Sequence, residues 1–413
     1  MRVAILGGGF GGLYLARSLA RRARPGALRI ALVDRGERFV FKPLLYELLT
    51  GEVDEDDIAP RFADVIDPAR IDFVQAEVRS IDLAARRVIL AGTAGPPALE
   101  WDALAIALGA EPHHHGLPGL EGRALYAATI EDFRRIRARV ANLLSRPDLA
   151  RQGPLRRVAI CGAGPSGIEI ALKLADVPGA KVLEITVVEA SGEILRGFGE
   201  ELKAVARAAL GAKGIELRLS APVVAADESG LALAGGRIEA ATLIWTAGQR
   251  PVEAVRALPV ERDPLGRVIV GATLELPGHP GVFALGDAAK CVIEGAVAPP
   301  ATAQVAVQQA SVVARNVLAR LEGRTLGSYR YLPLAETLSL GRGADAFHIL
   351  GLQLGGRLGH AARRLAYLAR LPSSRHRAKV AARWGARLAA EAVAGAVRWA
   401  LGADRSEEKS AKS

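Results

Sequence analysis

The sequence predicts an α/β chain: two Rossmann-like dinucleotide-binding domains followed by a C-terminal amphipathic helical region. Three observations predict it. A strand, glycine turn, helix and second strand run from Val3 to Asp34; the same unit recurs from Val158 to Glu189; and basic residues concentrate between Arg357 and Arg398.

The first unit opens on the apolar run Val3-Ala4-Ile5-Leu6, which breaks into Gly7-Gly8-Gly9-Phe10-Gly11-Gly12. Leu13, Ala16, Leu19 and Ala20 then recur at helical spacing, and Ile30 to Val33 forms a strand ending on Asp34. Each part has a physical job. Gly7 permits the tight turn, Gly9 lets the backbone approach a pyrophosphate, and Gly12 lets helix and strand pack closely. Free N–H groups at the helix start receive phosphate charge, and Asp34 stands where a carboxylate accepts ribose hydroxyls. One such motif is weak evidence in a chain with 45 glycines.

The second copy removes that weakness. Val158-Ala159-Ile160-Cys161 leads into Gly162, Gly164 and Gly167, then a helix, then the strand Ile185 to Val188 ending on Glu189. Twenty-two residues separate Gly12 from Asp34 and also Gly167 from Glu189. Pro165 sits in the first helical turn, where its missing N–H costs nothing.

Between and beyond the two units lie the other candidates. Phe39 to Gly51 reads as an apolar loop with Pro43 entering a short helix, a hydrophobic wall of the core. Strands are expected over Phe73–Val78, Arg87–Leu90 and Ala103–Leu108, the last running into Gly109, a turn that a ligand can approach closely. His113-His114-His115 reads as a loop between Pro112 and Pro118; no metal site is expected, because no acid or cysteine completes a ligand set. Thr129 to Leu144 reads as an amphipathic helix leading to a boundary at Gly153-Pro154. Thr242 to Gly248 is another strand entering a glycine turn. Gly281 to Gly286 ends on Asp287, which is either a turn acid or a holder of a sugar-alcohol hydroxyl. Gln304 and Gln308 stand four apart, so a helix puts both amides on one face, as surface groups or as a polar ligand edge.

The formal net charge is +10. Aromatic residues are only 5% and no base-stacking platform is visible, so nucleic acid is the weakest of the anionic partners. Cys161 and Cys291 are far apart, with no CxxC, and make no disulfide framework. The fold begins almost at the N-terminus, leaving no room for a signal peptide, and no apolar run is long enough to span a bilayer. The expected setting is cytosolic. Between Arg357 and Arg398 lie ten Lys and Arg residues and one acid, Glu391. Arg383, Arg387, Glu391 and Arg398 fall on one side of a helix, with Trp384 and Trp399 outside that stripe. This pattern suits a helix lying in the interface of an anionic membrane; packing on its own domain, or on a second copy in a homodimer, is the alternative. The polar tail from Asp404 is expected to be disordered.

Together, the two fingerprints, the Gly286-Asp287 strand end, Thr302-Ala303-Gln304-Val305-Ala306 with Gln308, and the basic C-terminus resemble the type II NADH:quinone oxidoreductases. Phe39 to Gly51, with Ile58-Ala59-Pro60, is most similar to the plant and cyanobacterial demethylphylloquinone reductase branch. The resemblance implies a two-dinucleotide-binding flavoprotein fold with FAD-binding parts at 1–118 and 271–330, an NAD(P)H-binding domain at 119–270 and a membrane-associating region at 331–413. It implies that Gly7, Gly9, Gly12 and Asp34 hold FAD, that Lys42, Pro43 and Gly109 lie along the flavin, and that Gly286 and Asp287 meet its ribitol. Gly162, Gly164, Gly167, Glu189 and Gly248 would serve NADH, and Glu169 matches a glutamate near the nicotinamide. Gln304 and Gln308 match the quinone-site motif. The implied activity is non-proton-pumping transfer from NADH through FAD to a membrane quinone, peripherally on the cytoplasmic side of the plasma membrane. Glu189 stands where NADPH would bring a 2′-phosphate, which favours NADH, although the nearest branch leaves NADPH open. Sulfide:quinone reduction, disulfide reduction and non-catalytic nucleotide sensing are the rival readings.

Overall fold

Apolar runs with no polar alternation belong in strands covered on both faces, and both fingerprint strands are such strands. The computed structural model describes residues 1–400 apart from 93–95, 147, 149–152, 294, 296–297 and 350–351; side chains 391–392 and 394–400 are not described. The expected tail from Asp404 lies outside the described residues.

In the first sheet, β1 (Arg2–Leu6) leads through the glycine turn into α1 (Phe10–Arg22) and returns as β2 (Arg29–Asp34), with β3 (Ile71–Gln75) and β4 (Ala103–Ile106) alongside. α2 (Ile130–Leu144) follows, its Thr129 cap paired with Asp132 in a capping box. The second sheet repeats the plan: β5 (Arg157–Cys161), α3 (Pro165–Ala175), β6 (Glu184–Val188), β7 (Glu216–Arg218) and β8 (Thr242–Trp245). Its order is β7-β6-β5-β8, with the short strand Leu125–Tyr126 at the edge. β9 (Val282–Ala284) then returns to the first sheet, giving β9-β4-β1-β2-β3. The registers are equivalent: Val3 pairs with Ile30 and Ala103, and Val158 with Ile185 and Thr242. α4 (Ala303–Leu321) packs along α1.

Two details differ from expectation. The strand expected over Phe73–Val78 breaks at Ala76, whose N–H donates to Asp34 O; Glu77–Asp82 then joins a separate antiparallel sheet with Arg87–Ala91 and Ala98–Glu100. The region after residue 330 is not helical throughout. An antiparallel sheet, β10 (Ala335–Ser339), β11 (Asp345–Ile349) and β12 (Leu352–Leu354), precedes α5 (Gly356–Arg370) and α6 (Ser374–Ala400).

Residues 1–363 and 364–413 form two compact units. In the second, the Arg364 guanidinium lies 4.4 Å above the Trp384 ring, so this tryptophan is covered on one face rather than free as an interface anchor. Leu365, Leu388 and Val393 are exposed instead. Arg363, counted above with the basic surface, is fully buried in the first unit. No helix among the described residues is long and apolar enough to cross a membrane.

Candidate functional site

Each fingerprint folds into a cradle with the same wiring. Gly9 is the N-cap of α1 and Gly164 that of α3, neither start having a side-chain cap or an acid in its first turn. Their leading N–H groups are therefore left for an anion. A Cβ on Gly9 or Gly164 would meet nothing within 4 Å, so the face over each turn is open to a ligand. The opposite holds inside: a Cβ on Gly12 would stand 1.7 Å from Gly7 O, and one on Gly167 1.9 Å from Gly162 O. Only glycine allows helix and turn to approach so closely.

The terminal acids are held alike. Asp34 Oδ2 accepts Gly8 N–H at 2.6 Å and its Oδ1 accepts Gly36 N–H at 2.8 Å. Glu189 Oε2 accepts Ala163 N–H at 2.9 Å, while Oε1 accepts the Ser191 N–H and hydroxyl, both at 2.9 Å. Each carboxylate thus braces its glycine turn and keeps lone pairs for a ribose.

Lys42 and Pro43 open a 3₁₀ helix, Lys42–Leu48. Burial raises the Asp34 carboxyl above its usual range, against the Gly36 and Gly8 N–H groups and the charges of Arg35 and Lys42. Burial likewise raises Asp287, with Lys42 and Arg267 opposing. The charge of one lysine thus bears on two acids 253 residues apart, and the Leu285 side chain at the β9 end reaches the first glycine turn, 3.3 Å from where a Gly11 Cβ would stand. Gly286 and Asp287 line a small pocket with Arg267, Thr302, Val305 and Gln309. Gly109, at φ +67°, would carry a Cβ into open space. At Gly248 a Cβ would stand 2.1 Å from His115 Nε2. The histidine triplet is a loop against this turn: His113 O accepts from Trp245 Nε1 at 3.1 Å and His113 N–H donates to Gly248 O at 3.2 Å.

The paired glutamines are not equivalent. Gln308 spends both ends of its amide on Leu332, donating to its carbonyl at 2.7 Å and accepting its N–H at 3.1 Å. Gln304 Nε2 donates to the Tyr331 hydroxyl at 3.3 Å, and its Oε1 is buried without a partner. Sequence reasoning missed Gln309, buried beside them, whose Oε1 accepts Gly286 N–H at 2.7 Å and fixes the turn bearing Asp287. It also missed a buried charge cluster: Glu47, Asp345 and Arg363, with Lys173 paired to Glu52 at 2.5 Å. The available signal was charge inside apolar runs, as at Glu47 between Leu44 and Leu49 and Lys173 between Leu172 and Leu174.

Two open anion cradles with braced acids, on twin parallel sheets joined by a returning strand, define a flavoprotein oxidoreductase that uses two dinucleotides. A profile of the family described as "Pyridine nucleotide-disulphide oxidoreductase" matches residues 1–310. The chain is 36% identical over 390 residues to a demethylphylloquinone reductase of Synechocystis sp., covering 93% of this chain and 95% of that one. It is 31% identical over 347 residues to a type II NADH:quinone oxidoreductase of Mycobacterium tuberculosis, covering 78% and 73%. The structure of NDH2 from Plasmodium falciparum in complex with NADH has a TM-score of 0.79 at 16% identity, covering 92% and 96%, a likeness of fold. The chain belongs to the pyridine nucleotide-disulphide oxidoreductases and, within them, to the type II NADH:quinone oxidoreductase family, flavoenzymes with FAD as cofactor.

The disulphide chemistry in the wider family's name has no site here. Cys161 and Cys291 are both buried and unbridged, and burial pushes their thiols up to about 12 and about 11. A redox pair needs an accessible thiolate.

Proposed function

We propose that the protein passes a hydride from NADH to FAD and two electrons on to a membrane quinone, without moving protons across the membrane. The carrying observation is the matched pair of open, uncapped cradles. The first, with Gly7, Gly9, Gly12 and Asp34, holds FAD, while Lys42, Pro43, Gly109, Gly286 and Asp287 line its path. The second, with Gly162, Gly164, Gly167, Glu189 and Gly248, takes NADH. Bound FAD supplies the two-electron relay between nucleotide and quinone. The residues do the rest by alignment: Asp34 and Glu189 orient the ribose ends, and Gln309 holds the Asp287 turn. The Glu189 carboxylate repels a 2′-phosphate, so NADH is the better donor.

Gln304 is the quinone-side amide in this reading. Its Nε2 can donate to a quinone carbonyl, and its unpartnered Oε1 can accept from the quinol hydroxyl. Gln308 acts one step back, keeping Leu332 and Tyr331 in place. In stopped-flow measurements, Gln304→Ala should slow flavin reoxidation by quinone at least tenfold while leaving flavin reduction by NADH within about twofold. Equal loss in both half-reactions would remove this assignment, and flavin reduced by NADH but oxidised by no quinone would leave only a nucleotide sensor.

The C-terminal helices carry the membrane part of the proposal. Exposed Leu365, Leu388 and Val393 lie on a segment rich in arginine, and such a face favours an anionic interface. Deleting 364–413 should abolish co-sedimentation with phosphatidylglycerol liposomes but leave NADH-to-soluble-quinone turnover. Unchanged sedimentation would refer the helices to another partner.

A further inference from the structure

The interior holds more ionisable groups than two nucleotide cradles need. Arg363 is fully buried and ties three elements together. Its Nη2 donates to Glu47 Oε1 at 2.5 Å, its Nε lies 2.8 Å from Asp345 Oδ2, and its Nη1 donates to the Tyr46 hydroxyl at 3.0 Å. A tyrosine oxygen that accepts from a guanidinium has its own proton to give elsewhere. The Tyr46 ring lies against α3, 6.0 Å from Lys173 Nζ, with its hydroxyl in reach of the Glu169 carboxyl. Glu169, two residues past Gly167 on α3, is buried, and its Oε1 accepts Ser339 N–H from β10 at 2.9 Å. One hydroxyl therefore joins the segment bearing Lys42 to the helix that opens the second cradle.

Charge explains why that hydroxyl matters. Glu47, Asp345 and Glu52 stand against Arg363 and Lys173 in this cluster. His360, whose Nδ1 is 2.7 Å from Asp345 Oδ2, is a further titratable neighbour on α5. A charged Glu169 would add a further carboxylate charge to a buried interior that already holds three acids. It is tolerated only as far as donors reach it.

We propose that Tyr46 is a positioning residue that sets when Glu169 gives up its proton, tying the protonation of the nucleotide-side acid to the placement of the 42–48 segment. Burial pushes the Glu169 carboxyl up to about 8; Ser339 N–H, Arg363 and Tyr46 pull it back, and Asp345 adds to the rise. Glu169 thus keeps its proton to a higher pH than an exposed glutamate does. Its ionisation changes the charge beside the second cradle, so turnover changes over the pH range in which it titrates. This last step rests on the function proposed above; the titration itself does not.

The test is an infrared pH titration of the FAD-loaded enzyme, without NADH or quinone, following the C=O band of a protonated carboxylic acid. Glu169→Gln should abolish the band that titrates near neutral pH. Tyr46→Phe, which removes a donor to the ionised form, should move its midpoint up by about one pH unit. Asp345→Asn, which removes a repelling charge, should move it down by a similar amount. The pH dependence of NADH-dependent turnover should follow both displacements. An unmoved midpoint in folded, flavin-bearing Tyr46→Phe overturns the proposal, as does a band that survives Glu169→Gln. Should Asp345→Asn fail to fold, Tyr46→Phe, which loses one oxygen and keeps the ring, carries the test. A titration that shifts as stated in an enzyme that reduces no quinone would overturn the function and leave the Tyr46–Glu169 coupling standing.

Discussion

Gly12→Ala is expected to give a colourless protein without FAD, and Gly167→Ala a yellow one that NADH no longer bleaches. The two substitutions add the same methyl to the same position of two cradles. In each, the Cβ would fall well inside the van der Waals radius of a backbone carbonyl, Gly7 O or Gly162 O, at 1.7 and 1.9 Å. Backbone cannot rotate aside as a side chain can, so the helix start must lift from the turn. That displaces the N–H groups that face the phosphates, and a loss of about 3 kcal/mol in ligand binding, roughly 100-fold in affinity, is a modest expectation. The contrast between the variants carries the information. Absorbance of the bound flavin reads the first cradle, and its bleaching by NADH reads the second. Full FAD content in Gly12→Ala, or its loss from Gly167→Ala with the fold intact, would reverse the assignment of cradles to cofactors.

The fold was legible because its signals are local. A glycine turn after an apolar strand, a helix, and an acid at a fixed distance all lie within about thirty residues, and the repeat multiplied their weight. The far-downstream return of Val282–Ala284 to the first sheet is not local, and its only trace was the Gly286-Asp287 ending. The site was legible where one residue acts by its backbone or its charge, as at Asp34 and Glu189. It was not legible where function depends on a partner brought in by tertiary structure. Nothing around Gln308 shows that its amide closes on Leu332, or that Gln309, the next residue, holds the Asp287 turn. Arg363 is the plainest case. In sequence it belongs to a basic run on an amphipathic helix, and periodicity has no means of saying that this one arginine turns inward to meet acids from residues 47 and 345.

That burial makes Arg363→Met the substitution with the largest expected cost in stability. Arg363, Glu47 and Asp345 have fully buried side chains, and the guanidinium lies against both carboxylates. Removing the shared cation takes away the counter-charge of two acids that water does not reach, and breaking a buried pair from one side costs about 3–5 kcal/mol. The pH dependence has a definite sign. Burial opposes ionisation of Asp345, but its hydrogen bond to His360 and the charge of Arg363 outweigh burial and hold the carboxyl at about 2, below its usual 3.8. A depressed carboxyl contributes stability that is present above the unfolded value and is lost as pH falls through the folded one. The wild-type advantage over Arg363→Met should therefore be full at pH 7 and shrink as pH falls from about 4 towards 2, because protonated acids no longer need the cation. Urea-denaturation midpoints of the FAD-loaded proteins across that range measure it. A gap below about 1 kcal/mol at pH 7, the range of an exposed pair, would mean that water reaches the cluster. A gap that widens on acidification would mean that Asp345 is not the acid Arg363 serves.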